Sequence, residues 1–239
     1  MSEMVRRFLR QKSGSVGTLI ALGLLALFAA LPLNANQGFG PAATLAVLLI
    51  AAGSVSRDIS SGAIQMILSR PLTRSEYLFG RYFGTLLTYV GFLISSVVIA
   101  FLLGRLFLST SPLAEAPAFS WLAAGRGAVE AIFAGALLAA IVLFFSTFLR
   151  GWGDVLALVL ATILLGSTQA LGRQLNKPAL VQAGRIASEN LYPSPDWSQI
   201  LAGRDILSVP TSQYFLALTC YLALATLVFD RREFSYGQD

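Results

Sequence analysis

The chain has 239 residues, of which 56% are hydrophobic and only 12% charged, with a mean hydropathy of +0.71, whereas soluble domains carry roughly 25% charged residues. That balance excludes an ordinary water-soluble fold, and the formal charge of +5 with a pI near 9.7 does not argue for nucleic acid, because the basic residues cluster at the ends of apolar runs. Histidine is absent and Cys220 is the single cysteine, which excludes Ser-His and Cys-His nucleophile pairs, an intrachain disulfide and the usual thiolate metal sites.

In chain order, Met4–Lys12 reads as an amphipathic helix on the inner membrane surface, with Val5, Phe8 and Leu9 toward lipid and the arginines toward headgroups. Six apolar segments follow, Ser13–Leu33, Pro41–Ser56, Tyr82–Gly104, Gly127–Leu149, Asp154–Gly172 and Val209–Phe229, each about the length of a membrane helix. The first loosely resembles a signal peptide. Its apolar run is longer than an h-region, however, and Pro32 and Leu33 make a poor cleavage box, so it is read as a span. The second is short by itself, and its helix is predicted to continue through Arg57 and Asp58, since nothing breaks it before Gly62.

These spans divide the basic residues 11 against 6. The richer side holds both termini and is expected to be cytoplasmic. The fold class is thus all-α, a polytopic membrane protein of six spans in one domain. Outside, Leu106–Arg126 forms a loop with a turn of helix after Ser111-Pro112. The longer segment Arg173–Ser208 is expected to hold short helices, one capped by Ser194-Pro195, with Tyr192 and Trp197 at the membrane boundary.

The inner loop Arg57–Gly84 is the most informative stretch. Thr73 and Glu76 stand three apart, the spacing of a capping box, so a helix is predicted to begin near Arg74 and run into the third span. Upstream, Ile64, Ile67 and Leu68 fall at i, i+3 and i+4 and form an apolar stripe on a helix about two turns long. Such an element either plugs into the groove of a soluble partner or rests on lipid.

In this loop Asp58, Gly62, Ile67-Leu68-Ser69, Pro71-Leu72-Thr73-Arg74, Glu76 and Gly80-Arg81 follow a pattern that resembles the first inner loop of the type-2 (ABC-2) permeases of ATP-binding-cassette transporters. Asp58 and Arg81 stand where that family more often has Glu and Lys, and both keep the charge. The resemblance implies that Gly62–Ser69 is a coupling helix seated in a cleft of a separate ATPase. It assigns Asp58, Gly62, Ile64, Ile67, Leu68, Ser69, Pro71, Arg74 and Glu76 to that contact. It further implies a dimer with a second permease copy or a paralogue, two cytoplasmic ATPase subunits, a prokaryotic cytoplasmic membrane, and export as the direction. The chain has no Gly-x-x-x-x-Gly-Lys-Ser/Thr phosphate loop, Lys12 and Lys177 being its only lysines, so ATP and Mg are expected on the partner and no cofactor on this chain.

Other features have plainer readings. Gly127, Ala131, Gly135 and Ala139 recur every four residues and form a ridge for close helix packing. Glu130, one turn into the predicted fourth span, is read as solvated near the outer edge with Arg126 at i−4, against the alternative of a water-filled path. Arg150-Gly-Trp-Gly-Asp154 reads as a tight inner loop with Gly151 ending one helix and Asp154 capping the next. Thr162, Ser167, Thr168 and Gln169 are a possible translocation path, or alternatively interhelical hydrogen-bonding groups. The competing functional class is a membrane scaffold or sensor whose inner loop docks a regulatory partner without transport. An intramembrane enzyme lacks a catalytic constellation.

Overall fold

A computed structural model describes residues 16–34, 38–60, 73–108, 119–149, 153–201, 203 and 208–231. Within these, regular structure is entirely helical: α1 (Val16–Asn34), α2 (Gly40–Ala51), α3 (Ser56–Ser60), α4 (Arg74–Leu103), α5 (Trp121–Ser146), α6 (Gly153–Gln174), α7 (Pro178–Leu191), α8 (Trp197–Leu201) and α9 (Val209–Arg231). A π-helical turn, Gly104–Leu108, extends α4. The predicted surface helix Met4–Lys12, the turn after Ser111-Pro112, and Arg150 and Gly151 lie outside the described residues.

Among the described residues, five stretches are long and apolar enough to cross a membrane: Pro41–Ile59, Arg74–Leu106, Trp121–Ser146, Gly153–Gln174 and Val209–Arg231. Gly17–Ala30 is a shorter apolar helix. Only 11% of the most apolar window of Gly153–Gln174 and 17% of that of Val209–Arg231 is buried. Leu156, Leu160, Ile163, Leu164, Leu216 and Leu227 are exposed on them. Apolar faces of that extent are stable where the surrounding medium is itself apolar. The chain is therefore an all-helical, multi-pass membrane protein.

The chain forms two compact units, residues 1–51 with 79–139, and residues 52–78 with 140–239. In the first, α1 packs on α2, with Ala26, Ala29 and Ala30 of α1 and Ala42, Ala43 and Ala46 of α2 buried. Small side chains let helix backbones approach in a membrane, where there is no hydrophobic drive between helices. Tyr82 and Tyr89, two turns apart on α4, donate their hydroxyls to the carbonyls of Ala136 and Ala131 on α5, at 3.2 Å each. At the far end of α4, Phe101, Phe119 and Trp121 form an aromatic cluster with centroids 5.1–6.1 Å apart, Phe119 edge-on to both of the others. Arg105 lies 5.5 Å over the Phe101 ring, the composition of an interfacial aromatic girdle.

The second unit contains the helical pair α6–α7. Its turn is a Schellman motif: Asn176 takes the left-handed conformation at φ 49°, and the Lys177 amide donates to the Gly172 carbonyl at 2.9 Å. Pro178 then opens α7, where a missing N–H and a fixed φ suit the first helical position. The two helices approach closely at Gly172, against Leu180 and Val181, and at Gly184, against Thr168 and Gln169. In the same unit Trp197 is buried edge-on against Tyr214, 5.0 Å between centroids.

Three local expectations are corrected. The cap before α8 is Asp196 rather than Ser194-Pro195: its carboxylate accepts from the Gln199 amide at 3.4 Å and from the Gln199 side chain at 3.1 Å, and the helix begins one residue later, at Trp197. Helix α5 starts at Trp121, six residues before the predicted Gly127. Ser120 caps it, its hydroxyl accepting from the Ala123 amide at 3.3 Å, so Glu130 lies more than two turns inside the helix. Asp154 lies in the first turn of α6 and turns one carboxylate oxygen away from its own helix, as described next.

Candidate functional site

The second unit gathers helix ends around the turn that follows α2. Gly53 adopts φ +64° there, a region that glycine enters freely and that costs most residues with a Cβ. A Cβ at Gly53 would also press on Arg57, with its Nε at 3.0 Å. A Gly53→Ala variant is expected to lose about 1–2 kcal/mol of stability from the left-handed conformation alone, measurable as a lowered thermal midpoint in detergent.

The turn exposes backbone N–H groups that no helix satisfies, and two side chains from distant parts of the sequence take them. Asp154 Oδ2 accepts from Gly53 N at 2.9 Å, while its Oδ1 accepts from Val155 N at 2.8 Å. Ser146 Oγ accepts from Val55 N at 3.2 Å and from Ser56 N at 3.0 Å. Ser56, Ser146, Thr147 and Asp154 are all fully buried. Ser146 is the last residue of α5 and Asp154 lies in the first turn of α6. Carboxylates in a first turn also favour the helix dipole.

One turn on, Asp58 is 5% exposed and accepts the Tyr77 hydroxyl at 2.7 Å. Tyr77, fully buried, stacks on Phe229 of α9 with centroids 5.6 Å apart and ring planes 14° apart. Arg74 donates Nη1 to the carbonyls of Phe229 at 3.2 Å and Asp230 at 2.6 Å, a cation placed on the orphan carbonyls at the end of α9. The predicted capping box is present: Thr73 N donates to Glu76 Oε2 at 2.9 Å and Glu76 N to Thr73 Oγ1 at 3.2 Å.

The described residues on either side of 61–72 are held in place: upstream Gly53–Asp58 by the ends of α5 and α6, downstream Arg74 and Tyr77 by α9 and Asp58. Gly62, Ile64, Ile67, Leu68, Ser69 and Pro71 lie outside the described residues. Of the residues assigned to a partner contact, Asp58 is buried and engaged within the chain, Arg74 is half-buried, and Glu76 is exposed. Arg81 is buried on α4.

The ridge on α5 meets its neighbours inside the first unit. Gly127 faces Gly38 and Phe39, and Gly135 faces the Tyr89 ring so closely that a Cβ would collide with it. Ala131 accepts the Tyr89 hydroxyl through its carbonyl, and Ala139 is buried. The polar group on α6 is engaged locally. Thr162, Ser167 and Thr168 donate to the carbonyls of Leu158, Leu164 and Leu165 at 2.8–2.9 Å. Gln169 reaches Ser188 of α7 at 3.2 Å, and Thr162 also meets the Tyr192 hydroxyl at 3.4 Å. Burial raises the Tyr192 phenol above its ordinary pKa, against the opposing hydrogen bond from Thr162.

Sequence reasoning missed Gly53, Tyr77, Ser146 and Phe229 as parts of one junction and gave Asp154 only a local capping role. A glycine beside Ser-Val-Ser and a buried-type aromatic in a charged helix start were the available signals. Among the described residues no group of three or more Cys, Asp or Glu is placed to hold a metal.

No curated protein matches the chain. The family model described as Protein of unknown function (DUF2705) matches residues 20–177, more than half of the 239 residues, and the chain belongs to that family.

Proposed function

We propose that the chain is the membrane-spanning subunit of an ATP-driven transporter of the ABC-2 type, an exporter in a prokaryotic cytoplasmic membrane. It spans the membrane six times with both termini in the cytoplasm, α1 being the first span, and works as a dimer with two separate ATPase subunits. The observation that carries this reading is the anchoring of the described residues on either side of 61–72. A segment meant to pass a partner's motion to the membrane must be held firmly at both ends by the helices it moves. Here its flanks meet the ends of α5, α6 and α9 through five hydrogen bonds of 2.6–3.2 Å, and the Tyr77–Asp58 bond ties the two flanks to each other at 2.7 Å.

The resemblance of the inner loop to ABC-2 permeases supplies the nature of the partner, as analogy. ATP-driven closure of the ATPase pair would push the segment, and the junction would carry the displacement into three spans together. The burial of Asp58 assigns it to this junction rather than to the partner's surface, leaving Gly62–Ser69 as the contact.

Purification of the tagged chain from native membranes in mild detergent is expected to bring down a nucleotide-binding subunit with ATPase activity. Gly62→Trp is expected to release that subunit or to reduce transport-coupled ATPase activity at least tenfold, with the thermal midpoint of the chain unchanged. Recovery of the chain without any nucleotide-binding partner would sink the transporter reading and favour a scaffold that docks a regulatory protein.

A further inference from the structure

Within the first unit a cavity of about 250 Å³ opens between α2, α4 and α5, lined among others by Phe39, Thr44, Tyr89, Glu130, Ala134 and Gly135. Glu130 is its single charged group. The side chain is exposed, and no basic residue lines the cavity among the described residues.

Depth makes that carboxylate unusual. Glu130 follows Trp121 by nine residues on α5, about 13 Å along a helix rising 1.5 Å per residue. Trp121 belongs to the aromatic girdle with Phe101 and Phe119, which marks the membrane boundary. Glu130 therefore lies well inside the hydrocarbon layer, where ionisable side chains are rare, expensive and associated with ligands or pathways. The surrounding wall combines apolar side chains with the polar groups of Thr44 and Glu130. Tyr89, buried and with its hydroxyl committed to the Ala131 carbonyl, and Phe39, also buried, border the cavity.

We propose that this cavity binds a lipophilic organic cation, an ammonium group on an apolar body. The carboxylate supplies the counter-charge, and the short side chains of Thr44 and Ala134 leave room for the body between it and the buried Phe39 and Tyr89. The cavity volume, below the range of drug-sized sites, suits a molecule with a single ring. The site is distinct from the polar group on α6 and goes beyond the transporter reading without depending on it.

The test is calorimetric titration of the purified full chain in detergent with benzyltrimethylammonium, against benzyl alcohol as a neutral aromatic of similar size, with empty micelles subtracted. Saturable binding of the cation is expected, weakened tenfold or more by Glu130→Gln and kept within threefold by Glu130→Asp. Benzyl alcohol is expected to show no difference between wild type and Glu130→Gln. Ala134→Phe, which fills the cavity, is expected to abolish cation binding while helix content by circular dichroism stays unchanged. Absence of saturable binding in the wild type, equal cation affinity in Glu130→Gln, or retained binding in a folded Ala134→Phe variant would each overturn the proposal. None of these results depends on an ATPase, so failure here leaves the co-purification experiment standing on its own outcome.

Discussion

Asp154→Ala is expected to destabilise the solubilised chain by on the order of 3 kcal/mol, the combined loss of two hydrogen bonds to a carboxylate and the burial of two unsatisfied amides. The two donors, Gly53 N and Val155 N, are held at 2.9 and 2.8 Å by a side chain with no exposed surface. Asp154→Asn keeps one carbonyl acceptor and adds two donors that need acceptors of their own, so it is expected to recover only part of the loss. The thermal midpoint should fall by about 6–12 °C for the alanine variant. An unchanged midpoint would mean that the turn after α2 finds other partners and that the junction is not rigid. Ser146→Ala removes the acceptor for Val55 and Ser56 and serves as an independent check on the same turn.

Gly135→Ala comes next in expected size. The three atoms nearest a new Cβ all belong to the Tyr89 ring, which is 2% exposed, stacked on Phe92 at 6.1 Å and hydrogen-bonded to Ala131. The ring cannot rotate away without breaking that bond, and α5 cannot retreat without opening the α4 contact. Overpacking of this kind typically costs about 1–3 kcal/mol. A double variant with Tyr89→Leu should recover most of the loss, because the shorter side chain leaves the space that the methyl requires, and the cycle isolates the pair's coupling. Additive losses in that cycle would show that Gly135 is constrained by something other than Tyr89.

Much of the helical architecture was legible from hydropathy, because membrane spans must be long, apolar and hydrogen-bonded within themselves. The capping box at Thr73 and Glu76 was legible for a similar reason: both partners lie within one turn. The α5 ridge could be read from spacing, although not its partners, Tyr89 and Phe39. The α5 start was misplaced because Gly125 and Arg126 look like loop residues, while the cap at Ser120 precedes them by more than a turn. The junction was illegible for a plainer physical reason. The Asp154–Gly53 bond joins residues 101 apart and the Arg74 bonds span 155 and 156, so no local pattern announces them. Asp58 shows the same limit: its place in a motif marked it as important, while its burial against Tyr77 was visible only in three dimensions.

The hold of Arg74 on the end of α9 also dictates an order of events during synthesis. Its carbonyl acceptors lie at Phe229 and Asp230, so a ribosome elongating at about 5–20 residues per second delivers them roughly 10–30 s after Arg74 itself. Until then Arg74 lacks both acceptors and Tyr77 lacks the Phe229 ring, so the downstream anchor of the inner segment is incomplete. A chain arrested before α9 would carry the Tyr77–Asp58 bond and the Thr73–Glu76 capping box but neither the Arg74 bonds to α9 nor the Phe229 stack on Tyr77.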